Sequence, residues 1–279
     1  MGYRTILASL NELSQVRCIL NAAASVARKQ DAYVVGLYVI PAIELRPSSA
    51  VDVPPVENDS LHKYFKEQKH LFRAAFENVI LNGGIRGEFR VVDAPDPHIA
   101  STVIEQSREV DLVIVGHSNL ASSHAIGSHF AEQVLVSSGR PTLVIPPNGN
   151  GAISASLVLI GWNGSREAAR AVFDSMPLLK SAKEVLIAWA GPRSEEGANK
   201  GARAIELVRT LSRHGIDAQA TDLDSSRDAG QVLLERAEMG GAGLLVMGAY
   251  GHSRLREFIL GGATRSVLRG MKIPVLFSH

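Results

Sequence analysis

Gly248, Gly251, Gly261 and Gly262 form the stretch of this chain whose residue types and spacing point most clearly to chemistry. They follow the apolar run Gly243-Leu-Leu-Val-Met-Gly248, and nine residues separate Gly251 from Gly261. A glycine loop behind a buried strand lets bare backbone N–H groups approach a phosphate closely, and the start of the next helix adds further donors. A damaged copy lies about 130 residues earlier: Gly116-His-Ser-Asn119, with only ten residues separating Gly116 from Gly127-Ser128. There Asn119 replaces the second glycine, and asparagine adopts left-handed backbone angles only at some cost. The chain reads as a duplication whose halves do different jobs. The chemistry implied is anion binding rather than bond breaking. The sequence has no Gly-x-Ser-x-Gly elbow, no Walker-type loop and no paired-carboxylate motif.

Other reactive residue types have plainer explanations. His117, His124 and His129 are spaced by seven and five residues, which does not put them on one helical face, and Glu132 is the nearest carboxylate. They read as a polar loop rather than a metal site. His62 and His70 fall on a charged helix and read as surface; Asp93, Asp96 and His98 surround Pro95 and Pro97, where turn chemistry favours aspartate. Cys18 is the only cysteine, so an intramolecular disulfide and a Cys-rich zinc site are excluded. Between Val16, Ile19 and Leu20 it reads as a small core side chain. Arg254 and Arg256 lie between the glycines, facing phosphate or solvent, while Met247 and Trp189 either flank a base or join the core.

With 29 Lys+Arg against 28 Asp+Glu and no long basic run, the footprint of a duplex-DNA binder is missing. No apolar stretch reaches the roughly 18–20 residues of a membrane span. The N-terminus Met1-Gly-Tyr-Arg-Thr-Ile-Leu7 shows no signal-peptide pattern, so the cytoplasm is expected.

The elements that must position the glycines alternate between strand and helix. Ile6–Asn11 reads as a buried strand ending in a polar residue, and Leu159–Asn163 repeats it, with Asn163 standing 152 residues after Asn11. Helices are expected at Ser14–Arg28 and Ser165–Lys180, then strands at Tyr33–Val39 and Glu184–Trp189. Long amphipathic helices follow at about Leu61–Leu81 and Gly197–His214, each closed by a Gly-Ile turn (Gly84-Ile85, Gly215-Ile216). The first half carries about 20 extra residues, largely 41–60, whose Pro47, Pro54 and Pro55 predict an irregular surface loop and a candidate partner-binding segment. Third helices are expected at about Pro97–Arg108 and Ala229–Met239. Fully apolar fourth strands (111–116, 243–248) and Pro-led fifth strands (141–145, 274–277) complete each half. The division is a first domain at 1–147, a linker at 148–153 and a second domain at 154–279. The pattern is α/β, with two parallel sheets covered by helices on both faces. Ligands of such sheets sit beyond the carboxyl ends of the strands, where strand order reverses.

These motifs closely resemble the universal stress protein family in its tandem two-domain form, across the whole chain. The family signature is Gly-x-x-Gly, nine residues, then Gly and a small residue, and Gly248, Gly251, Gly261 and Gly262 occupy those places. Trp162-Asn-Gly-Ser-Arg-Glu-Ala-Ala-Arg170 looks like its first strand–helix junction. The resemblance implies two Rossmann-like (adenine nucleotide alpha hydrolase-like) domains, each a five-stranded parallel sheet of order 3-2-1-4-5. It also implies ATP, with Mg, as the ligand of the second half. Nucleotide-binding members carry Asp where this chain has Asn163, and many carry a hydroxyl where it has Gly262. By the same resemblance Gly251, Gly261, Gly262 and Ala263 donate backbone N–H groups to phosphate, and Thr264 a hydroxyl. Asn163 then bonds the ribose or base, while Ala190, Met247 and Gly248 frame the base pocket.

The implied role is a stress-response binding switch with a degenerate first half and at most slow ATP hydrolysis. A second reading is a nucleotide-free interaction module, in which the last strands, 141–145 and 274–277, pair edge to edge within the chain or between chains. A third is an apolar ligand in the same crevice, which no sequence feature singles out.

Overall fold

Val34-Val-Gly-Leu-Tyr-Val-Ile40 and Leu244-Leu-Val-Met247 have no polar face, so each strand must be covered on both sides. The computed structural model describes residues 2–42, 56–117, 129–147, 149, 151–191, 195–250 and 262–279. The first half runs β1 (Thr5–Ser9), α1 (Val16–Gln30), β2 (Tyr33–Ile40), α2 (Val56–Phe76, continued as a π turn over Glu77–Leu81) and β3 (Gly87–Asp93). It closes with α3 (Ile99–Ser107), β4 (Leu112–Gly116), α4 (Phe130–Ser137) and β5 (Thr142–Ile145). The second half repeats the order as β6 (Leu157–Gly161), α5 (Arg166–Asp174), α6 (Met176–Leu179), β7 (Glu184–Gly191), α7 (Glu195–Arg213) and β8 (Ala218–Asp224). It ends with α8 (Ala229–Gly240), β9 (Leu244–Gly248), α9 (Gly262–Gly270) and β10 (Val275–Ser278).

Instead of two separate sheets there is one sheet of ten strands, ordered β3-β2-β1-β4-β5-β10-β9-β6-β7-β8. Each half keeps the order 3-2-1-4-5 and is parallel throughout. The halves join where β5 and β10 pair antiparallel, Leu143 opposite Leu276. Both strands are buried along their length, so either one left as an edge would present apolar side chains beside unpaired backbone groups. The edge-to-edge pairing considered from sequence is thus made within the chain.

Two element boundaries differ from expectation. Helix α2 begins at Val56, directly after Pro54-Pro55, so these prolines mark a helix start and shorten the irregular segment, of which 43–55 lie outside the described residues. The helix expected over Ser165–Lys180 breaks at Ser175, because Pro177 in the first turn of α6 has no N–H to continue the ladder. Both Gly-Ile turns form as expected: Gly84 (φ 73°) and Gly215 (φ 75°) are left-handed, and Ile85 and Ile216 donate back to Ile80 and Leu211.

Candidate functional site

The carboxyl ends of β6, β7 and β9 converge where β6 turns into α5, and Gly248 is the tightest point. A Cβ built there would stand 2.4 Å from Ala168 N and 2.5 Å from Glu167 C. Only glycine lets β9 pass so close to the first turn of α5. Gly161 is similarly pressed, 2.8 Å from a methyl of Leu233. Met247 is 5% exposed and packs beneath Gly161, so it belongs to the floor of the crevice rather than its rim.

Parallel strands present their N–H and C=O alternately to the two neighbours. Trp162 N–H donates to the Ala188 carbonyl, and Gly191 C=O accepts from Ser225 on the β8 side, so the polar groups of Ala190 face β6. But β6 has already ended, at Gly161. The Ala190 N–H and C=O therefore have no partner among the described residues, and together they form an open donor–acceptor edge. Asn163, the nearest polar side chain in sequence, does not fill it. Its Oδ1 accepts from Ser165 N at 3.0 Å, in a turn that left-handed Gly164 (φ 76°) makes possible, and the side chain is exposed.

The first half is built differently at the same place. Val39 stands where Ala190 stands, and Asn11 where Asn163 stands. Asn11 Nδ2 donates to the Val39 carbonyl at 2.7 Å and its Oδ1 accepts from Val39 N at 3.3 Å, with the side chain buried. Gln15, also buried, lies over Gly116 and donates to the His117 carbonyl at 2.8 Å. Two side-chain amides thus occupy the crevice of the first half.

Around the second-half crevice three buried polar atoms lack a partner among the described residues: Trp162 Nε1, Tyr250 Oη and Ser278 Oγ. Tyr250 sits at φ 64°, unusual for a bulky residue, and burial pushes its hydroxyl pKa up. Its ring meets His279 edge-on at 5.6 Å. The sequence did not mark these atoms, because whether a polar group finds a partner is a property of the fold and not of the residue type.

The start of α9 faces the start of α8. A Cβ at Gly262 would lie 3.6 Å from Asp228 Oδ2, while Asp228 Oδ1 caps α8 by accepting from Gln231 N. Gly262 is exposed and Ala263 half-buried, with its backbone pressed against Gly230. Thr264 is 3% exposed, which leaves its hydroxyl little access to a ligand at the crevice mouth. Gly251 and Gly261, with Arg254 and Arg256, lie outside the described residues. So do Asn119, His124, Gly127 and Ser128 of the first half.

The remaining candidates resolve locally. Cys18 is half-buried and donates to the Gly149 carbonyl at 2.8 Å. His62 is partly buried, not a surface residue, with Nδ1 2.8 Å from the Pro41 carbonyl, while His70 is exposed. Asp96 makes the expected turn, accepting from His98 N and Ser101 Oγ. Among the described residues no cluster of three or more His, Cys, Asp or Glu could hold a metal ion, and no helix is long and apolar enough to cross a membrane.

The model of the universal stress protein family matches residues 2–146 and 179–279. A curated relative, universal stress protein Slr1230 of Synechocystis, is 27% identical over 174 residues, 60% of this chain and 58% of that protein. The matched region thus spans little more than half the length of that relative. Among solved structures, a universal stress protein of Archaeoglobus fulgidus superposes with a TM-score of 0.73 at 19% identity, covering 98% of this chain and 97% of the other. The protein PA1789 of Pseudomonas aeruginosa gives 0.62 at 17%, covering 99% and 92%. At such identities these structures speak to the fold alone.

Proposed function

The chain belongs to the universal stress protein family, and we propose that its second half binds an adenine nucleotide, ATP with Mg2+, while its first half does not. The observation that carries this reading is the open backbone edge of Ala190. An adenine offers a ring acceptor beside an exocyclic N–H donor, the complement of one residue's N–H and C=O. In the first half the Asn11 carboxamide makes that same pair of bonds to Val39.

Backbone N–H groups of Gly262 and Ala263, at the start of α9, would take phosphate oxygens together with Gly251 and Gly261. Asp228 beside Gly262 would repel a bare phosphate. A carboxylate there suits Mg2+, which is commonly held by one or two carboxylates together with substrate phosphates. Gly248 and Met247 floor the pocket, Asn163 lies within reach of a ribose, and buried Thr264 supports α9 rather than the ligand. No residue here is placed as a general base, so the activity is binding, with a cytoplasmic stress-response switch as its use. We place the first domain at 1–147, the linker at 148–153 and the second domain at 154–279. Titration with Mg-ATP tests the reading: saturable binding lost in Gly262→Glu supports it.

The β5–β10 seam favours one part of the interaction-module reading. It consumes within one chain the edges through which separate domains would join. Absence of any nucleotide binding at millimolar Mg-ATP would make that module the better account.

A further inference from the structure

Away from the nucleotide crevice, a cavity of about 490 Å3 opens between the two halves. Tyr3, Asp111 and Arg140 line it from the first half, and Arg170, Phe173 and Lys180 from the second. A second, much smaller space of about 10 Å3 lies between Ser25, Val26 and Lys29 of the first half and Leu178, Ser181 and Leu244 of the second. The helix that runs unbroken as α1 in the first half is broken at Ser175 in the second, leaving Phe173 half exposed at the rim.

The charges in the open cavity do not cancel. Asp174 is matched by Arg170, whose Nε lies 3.4 Å from its carboxylate. Asp111 Oδ2 already accepts from the backbone N–H groups of Arg4 and Thr5 at 2.7 and 2.9 Å. Arg140 Nη2 donates to the Arg108 carbonyl and Arg170 Nη2 to the Gly139 carbonyl, which fixes both guanidinium groups without neutralising Arg140. Lys180 has no partner among the described residues, and the His214 ring lines the same wall. Three cations, Arg140, Arg170 and Lys180, thus face two carboxylates, Asp111 and Asp174, and the excess positive charge beside an exposed aromatic ring calls for an anion carrying a flat apolar body. The volume lies within the usual range for small-ligand pockets.

We propose that this inter-half cavity is a second ligand site, for a small aromatic organic anion such as a phosphorylated or carboxylated ring compound. Charge is met by Arg140 and Lys180 and the ring lies against Phe173. Phenyl phosphate, which has no adenine, is the probe, with inorganic phosphate and phenol as its separate parts. Titration of the full chain is followed by NMR at the His214 ring and the Gly139 and Lys180 amides. The expected result is saturable one-to-one binding, at least about tenfold tighter than either part alone. Lys180→Glu, an exposed change that leaves the amide spectrum otherwise intact, weakens it at least about tenfold, and Phe173→Ala weakens phenyl phosphate but not phosphate. Absence of saturable shifts at millimolar probe would overturn the site, as would binding indifferent to Lys180→Glu. Equal affinity for phosphate and phenyl phosphate would overturn the aromatic assignment.

Discussion

The Asn11 carboxamide grips both backbone polar groups of Val39, donating at 2.7 Å and accepting at 3.3 Å. Asn163, at the same position of the repeat, turns away and leaves Ala190 open. One residue type in two equivalent places thus closes one half and opens the other. The difference lies in the residues on the carboxyl side of each asparagine. Gly164-Ser165 draws Asn163 into a tight turn that starts α5, whereas in the first half the turn is made one residue on, Gln15 N–H donating to the Glu12 carbonyl, and Asn11 points inward.

Loss of the Asn11 clasp strands two buried backbone groups. Asn11→Ala is expected to destabilise the protein by about 1–3 kcal/mol in urea unfolding, against under about 1 kcal/mol for Asn163→Ala, whose bond is solvent-exposed. Equal costs would show that the clasp contributes nothing particular.

Proline at position 190 removes an N–H that the sheet does not use. Ala190→Pro should therefore fold normally yet weaken Mg-ATP binding by about tenfold or more, as measured by calorimetric titration. An unchanged affinity would place the base elsewhere.

The glycines separate by what surrounds them. Gly248→Ala drives a Cβ against backbone on the first turn of α5, and Gly151→Ala puts one 1.9 Å from the Cys18 carbonyl oxygen at φ 72°. Each should cost about 1–3 kcal/mol or more, because backbone cannot rotate aside. Gly191→Ala meets nothing within 4 Å and should fall within about 0.5 kcal/mol of the parent protein.

Asn163→Asp keeps the acceptor that bonds Ser165 N, so folding should be unaffected. With the charge restored at the ribose side, Mg-ATP affinity should rise. A weak affinity left unchanged by the substitution would mean that this position does not limit the site.

Much of the fold was legible in the residues. The repeat and the parallel strands came from the apolar fourth strands, and the close approach at Gly248 from its glycine, because burial on both faces and tight packing leave few alternatives, whereas the strand order came only from the family resemblance. The single ten-stranded sheet was legible only as one of two pairings, since a Pro-led apolar strand reads alike whether its partner is in the same chain or another. The Asn11–Val39 clasp was not legible. Asn11 and Asn163 look identical in sequence, and the choice between them depends on backbone facing across three strands. The unpartnered Trp162 and Tyr250 atoms escaped notice for the same reason, as satisfaction of a polar atom is a property of the fold and not of the residue.

The central claim, one working nucleotide site per chain, is tested most directly by native mass spectrometry with Mg-ATP on the unmodified protein and on Ala190→Pro. The account predicts a single nucleotide bound per chain, lost in Ala190→Pro. Two nucleotides per chain would contradict the closure of the first half by Asn11 and Gln15, and none would contradict the site itself.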